Sequence, residues 1–193
     1  MLPQIFLVRH GETDWSLSGR HTSHTDIPLT EAGEDSARVL GRRLRGKHFT
    51  QVLTSPRQRS LRTCELAGLG LQAESTEDLS EWDYGDYEGI TSIEILEERP
   101  DWNLFRDGCP NGESADQVSD RADRFIARLR MLEGDVVLFS HGHFGRVLGA
   151  RWIGMPVRDA RRLLFDPTAL CLLTYEKDRA ESPVIALWNS VAE

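Results

Sequence analysis

The chain has 193 residues, 39% of them hydrophobic and 28% charged, with a formal net charge of -8. That length suits one domain with a sizeable core, and the composition excludes a disordered chain. The acidic balance disfavours a nucleic-acid surface, so any anion site has to be built locally, against the overall field. Cys64, Cys109 and Cys171 are odd in number and far apart, which points to reduced thiols, not to a disulfide framework or a zinc ribbon. No apolar run reaches membrane-spanning length, and the first is too short for a signal-peptide core; no membrane association and a cytoplasmic location are expected.

In chain order, "QIFLVR" (4–9) is a continuous apolar run closed by Gly11, as in a strand buried on both faces. Residues 30–46 read as a helix with Thr30 as N-cap, Ala37, Leu40 and Leu44 on one face, and Gly46 as the stop. "QVLTS" (51–55) is a second strand, and Ser55–Pro56 then starts a helix over 57–68. Residues 80–113 carry Trp82, Tyr84, Tyr87, Trp102 and Phe105 among many acids and glycines. They read as an irregular, flap-like excursion with one short helix near 91–98, laid over the fold without forming the main core.

A long helix is expected from Ser114 to about Leu132, with Val118, Ala122, Phe125, Ile126 and Leu129 on one face. "DVVLFS" (135–140) is the clearest strand; a helix over 144–152 follows, then a short one after Pro156. "ALCLLTYEK" (169–177) and "VIALWNS" (184–190) read as two more strands, paired at the sheet edge. Alternating strands and helices predict a single α/β domain over 1–193. It is a three-layer sandwich: a mostly parallel central sheet, mixed at one edge, with helices on both faces.

Three strand ends deliver cationic or imidazole groups: Arg9 and His10, then Arg57 and Arg59, then His141. Ligands of open parallel sheets bind outside the carboxyl ends of the strands, so parallel neighbours would bring these side chains into one crevice. Guanidinium forks match phosphate oxygens and stay charged. They also bias a nearby imidazole to its neutral form, which can attack phosphorus, while the remaining groups stabilise the transferring phosphoryl group. Gly11 and Gly142 are expected to let backbone amides approach the ligand. Glu81, under apolar cover from Trp82 and Tyr84, is expected to be held protonated and to supply the leaving group's proton.

The segments "LVRHGETDW", "TDIPLTEAGE", "TSPRQRSLRT", "EWDYGDYEG" and "FSHGHFGR" together resemble the histidine phosphatase superfamily, in its phosphoglycerate-mutase-like branch, over roughly 5–150. The resemblance implies that His10 is the phosphorylated nucleophile and Glu81 the proton donor and acceptor. It assigns Arg9, Arg59 and His141 to the phosphoryl pocket. Thr22 and Ser23 match loop positions that touch substrate, and Tyr84 matches a tyrosine beside it. Some members carry Asp straight after the second histidine, where this chain has Gly142. Ser16 and Ser92 stand where mutases have Asn and a substrate-binding Lys, and the chain is short for a mutase. These departures favour the small acid phosphatases and sugar bisphosphatases of the family.

The reading is a metal-independent phosphatase of small phosphate monoesters, with no cofactor and a phosphohistidine intermediate. Its partner is a small-molecule phosphate ester, and a homodimer is left open. Phosphoglycerate mutase is the alternative. A metal-dependent hydrolase or metal-binding module built on His10, His21, His24 and Asp26 is a lesser one, and a non-catalytic phosphate-ester binder is a further rival. His143 reads as a structural neighbour, Arg57 and Arg62 as solvated, and Arg106 as half of a surface salt bridge.

Overall fold

The first apolar run forms strand β1 (Gln4–Arg9) in a computed structural model that describes residues 2–191, the side chain of Asp178 excepted. After it come α1 (Asp14–Ser18), α2 (Glu31–Leu44), β2 (Gln51–Thr54), α3 (Gln58–Leu66) and β3 (Ala73–Ser75). The excursion holds α4 (Ser92–Glu98) and α5 (Leu104–Asp107). The chain then runs through α6 (Ala115–Leu129), β4 (Asp135–Ser140), α7 (Gly142–Trp152), β5 (Leu170–Tyr175) and β6 (Pro183–Ser190).

The strands make one six-stranded sheet in the order β3-β2-β4-β1-β5-β6. The four from β3 to β1 are parallel neighbours, and β5 runs against both β1 and β6. The expected mixed edge is therefore the β5–β6 side. Alternation along the central strands separates two apolar layers. Phe6, Val8, Val137 and Phe139 face Leu40, Leu44 and Cys64 of α2 and α3. Ile5, Leu7, Val136 and Leu138 face Phe125, Ile126, Val147 and Leu148 of α6 and α7. Such strands read as unbroken apolar runs because both faces are covered.

Thr30 caps α2 as predicted, its hydroxyl accepting the Gly33 N–H at 3.0 Å. The start of α3 differs. Its N-cap is Arg57, with no side-chain cap; the Ser55 hydroxyl lies 2.7 Å from His141 Nε2 and accepts the Arg57 N–H at 3.4 Å. β3, α1 and α5 are too short to carry a period and were not expected.

The excursion also differs from the sequence reading. Trp82, Tyr84, Trp102, Leu104 and Phe105 are buried in the larger core beside α6 and α7. Trp82 is fully buried, edge-on to Phe105 at 5.6 Å, and its indole N–H donates to the Glu113 carbonyl at 2.9 Å. Aromatic rings mixed with acids disguised a core segment as a surface one: the rings turn inward while the polar groups cap, turn and pair.

Candidate active site

Strand register decides where the chemistry gathers. Arg9 lies opposite Ser140 in the β1–β4 pair, and Thr54 opposite Phe139 in the β2–β4 pair. The chain then leaves the sheet side by side, His10 N–H donating to the Ser140 carbonyl and Ser55 N–H to the Phe139 carbonyl, each at 2.9 Å. The three strand ends do converge, and the rings of His10 and His141 stand 5.1 Å apart at 66°.

His10 is buried, with Nδ1 2.7 Å from the Gly11 carbonyl oxygen. A carbonyl only accepts, so the proton sits on Nδ1 and Nε2 keeps its lone pair. Burial, then the Arg59 and Arg9 charges, hold the imidazole well below its ordinary pKa. His141 is fully buried, and Arg59 Nε donates to its Nδ1 at 3.3 Å. Its own proton is therefore on Nε2, facing the Ser55 hydroxyl. Burial, then Arg59, lowers its pKa in the same sense.

Arg59 is completely buried and directs its terminal nitrogens at the carbonyls of Thr25, Thr22 and Ser23, at 3.0, 3.1 and 3.2 Å. Glu88 grips the same loop, accepting the Ser23 N–H, the Ser23 hydroxyl and the Thr25 N–H. The loop over 22–25 is thus strapped to both α3 and the excursion. Arg9 donates from Nη1 to the Phe165 carbonyl at 2.7 Å, while its buried Nε has no partner among the described residues.

Glu81 sits at the start of α7. Its Oε1 accepts the Phe144 and Trp82 N–H groups at 2.7 and 2.9 Å, and its Oε2 accepts the His143 N–H at 3.0 Å. Apolar cover was expected to dominate here. Trp82 and Tyr84 are buried as expected, but the carboxyl oxygens themselves are clothed by main-chain donors, the natural partners of a carboxylate at a helix start.

A cleft of about 130 Å³ opens beside these groups, with His10, Ser16, Thr22, Glu81 and Tyr84 on its wall. Arg9, Arg59, His141 and Ser23 do not line it. The Ser16 hydroxyl is engaged in the α1 capping box with Thr13, and the Ser23 hydroxyl donates to Glu88 at 2.6 Å. Tyr84 OH lies 2.6 Å from His143 Nδ1, and burial, then the Glu81 charge, pushes the phenol well above its ordinary pKa.

Comparison with known proteins settles the family, since the histidine phosphatase superfamily (branch 1) profile matches residues 5–190. The chain belongs to that superfamily. It is 40% identical over 188 residues to an acid phosphatase of Mycobacterium tuberculosis, spanning 95% of this chain and 92% of that one. It is 39% identical over 191 residues to a sedoheptulose 1,7-bisphosphatase of Saccharomyces cerevisiae, spanning 82% and 70%. A solved structure of a Mycobacterium tuberculosis open reading frame superposes with a TM-score of 0.91 at 38% identity, over 97% of each chain. This histidine phosphatase is a phosphoric monoester hydrolase.

Several side chains of the phosphatase escaped the sequence reading. His143 lines the cleft as well as holding Glu81 through its main chain. His21, assigned to the metal alternative, is buried in the cleft wall with its ring 4.6 Å from Tyr84. His10 lines the same cleft, but His24 and Asp26 are engaged elsewhere: His24 pairs with Asp83 at 3.3 Å, and Asp26 accepts the Gln58 N–H at 2.8 Å. No three His, Cys, Asp or Glu side chains among the described residues are placed to share an ion. The Gly11 amide does not point to a ligand; it donates to the Thr63 hydroxyl at 2.9 Å. Glycine is required there because a Cβ would sit 2.7 Å from the Gly33 carbonyl oxygen. Arg57 is partly buried, not solvated, with its Nη2 3.3 Å from His24 Nδ1. Arg62 and Arg106 form surface ion pairs with Glu34 and Asp107, both at 2.8 Å.

Proposed function

We propose that the phosphatase hydrolyses small phosphate monoesters without a metal ion, through a phosphohistidine on His10. The observation that carries this is the His10 tautomer: a neutral ring, protonated on Nδ1, with the Nε2 lone pair free. In the first step Nε2 attacks phosphorus, the N–P bond forms and the ester P–O bond breaks. Arg9 and Arg59 stabilise the charge on the transferring group, the task a metal performs elsewhere, with His141 and Ser55 beside them. Ser16, Thr22 and Tyr84 are proposed to bound the space for the ester, with Ser23 anchoring the same loop to Glu88 behind it.

Glu81 is proposed to handle the proton. Oε2 accepts only one main-chain bond, so it has room for a proton delivered by the substrate monoanion. That proton passes to the leaving oxygen. The carboxylate then takes a proton from water as the new P–O bond forms and the N–P bond breaks, and it returns that proton to the departing phosphate, which leaves as dihydrogen phosphate and restores both His10 and the Glu81 carboxylate.

The sedoheptulose bisphosphatase named above supports a sugar phosphate as the ester, while the acid phosphatase supports a phosphate ester without naming its alcohol. Phosphate release from a panel of aryl, sugar and glycerate phosphates, with chelator present, tests the proposal. Release is expected from at least one. Interconversion of 2- and 3-phosphoglycerate without release would replace it with a mutase, and activity only with added metal would overturn the metal-free step.

A further inference from the structure

A groove of about 400 Å³ lies between α5 and the 3-10 turn Val157–Arg162, lined by Asn103, Arg106, Arg158, Asp159, Arg161 and Arg162. None of these residues lines the catalytic cleft. Four arginines in one groove is an unusual concentration for a chain of net charge -8, and the pairing is incomplete. Arg106 is matched by Asp107 and Arg162 by Asp159, whereas the Arg158 and Arg161 side chains have no hydrogen bond or ion pair among the described residues.

The turn's geometry accentuates this. A 3-10 helix has three residues per turn, so positions three apart stand one above the other. Asp159 and Arg162 form one such column and neutralise each other. Arg158 and Arg161 share the i,i+3 spacing of the next column, and no carboxylate among the described residues pairs with either, so like charges are brought to one side of the turn. The main chain under them is fixed, because the Arg146 guanidinium donates to the Ala160 and Arg161 carbonyls at 3.2 and 2.8 Å. Arginine forks on a held turn suit oxyanions, and a volume of about 400 Å³ leaves room for a small polyphosphate.

We propose that the groove between α5 and the Val157–Arg162 turn is a second anion site, separate from the catalytic cleft, which takes a small polyphosphate through Arg158 and Arg161. Calorimetric titration with tripolyphosphate tests it, using wild-type protein already saturated with orthovanadate to fill the cleft. One site per chain is expected, weakening as salt is raised. The double variant Arg158→Ala/Arg161→Ala should bind at least tenfold more weakly while kcat and KM for an aryl phosphate stay within twofold of wild type. Both side chains are exposed, so the variant should fold, and an unchanged melting temperature without ligand verifies that. An absence of binding by vanadate-saturated wild type, or an unchanged isotherm in the double variant, overturns the proposal. The comparison of variant with wild type reads the groove whether or not the cleft reacts as proposed.

Discussion

The Nδ1–H of His10 donates to the carbonyl of Gly11 at 2.7 Å, so the residue after the histidine selects which nitrogen is free to react. That contact is local, between adjacent residues of the chain. Replacement His10→Ala should remove turnover by several orders of magnitude, since the covalent route itself is lost. Far-UV circular dichroism should be unchanged. Residual kcat within tenfold of wild type would show that His10 is not the nucleophile.

Glu81→Gln keeps the side chain's shape but cannot carry a proton. Esters with poor alkoxide leaving groups should lose about 10²–10⁴ in kcat, and aryl phosphates much less. In the proposed route the proton enters with the substrate monoanion, whose second ionisation lies near pH 6, so wild-type activity should fall on the alkaline side. The variant should lose that limb with aryl substrates. An equal loss for both leaving-group classes would move the proton to another residue.

Stability should depend on pH through the imidazoles. Burial is the largest cause of lowered pKa in His10, His21, His141 and His143. In the unfolded chain they titrate near 6.5. Below that pH the unfolded chain binds protons that the folded one refuses, so this contribution is complete above about pH 6.5 and is lost as pH falls. Each group costs about 1.4 kcal/mol per pH unit within its window. Thermal melts from pH 7.5 to 5.5 should show a steep fall, ahead of the range where carboxylates titrate. A flat melting temperature over that interval would contradict the buried neutral imidazoles.

Much of the fold was legible because its signals are local. The unbroken apolar runs of β1 and β4, the helical spacing of α2 and α6, and Thr30 as a cap all depend on near neighbours. Arg9, His10 and His141 were legible as a cluster because a parallel register places strand ends together. The reading lost hold where long-range partners decide. Glu81's surroundings are set by α7, some sixty residues on in the chain, and the short contact of the Ser55 hydroxyl is to His141, which lies still further along. Gly11 was assigned to a ligand because its true neighbour, Gly33, approaches only in the folded chain.

The excursion was misjudged for the same reason, and the misjudgement is measurable. If the segment over 80–113 were a surface flap, truncating Trp82 would cost under about 1 kcal/mol. As a fully buried core residue, Trp82→Ala should destabilise the whole domain by about 3–5 kcal/mol. The expected drop in melting temperature is on the order of 10 °C, read by calorimetry as a single shifted transition.

The most direct measurement is acid-stop-free trapping of the intermediate: mix the enzyme with substrate, quench in alkali within milliseconds, digest, and map the phosphoryl group by mass spectrometry. Phosphohistidine at His10, stable in alkali, lost in acid and absent from His10→Ala, is the predicted result. A phosphoryl group on any other residue, or none during a turnover whose chemistry is shown to be slow in its second step, would contradict the account.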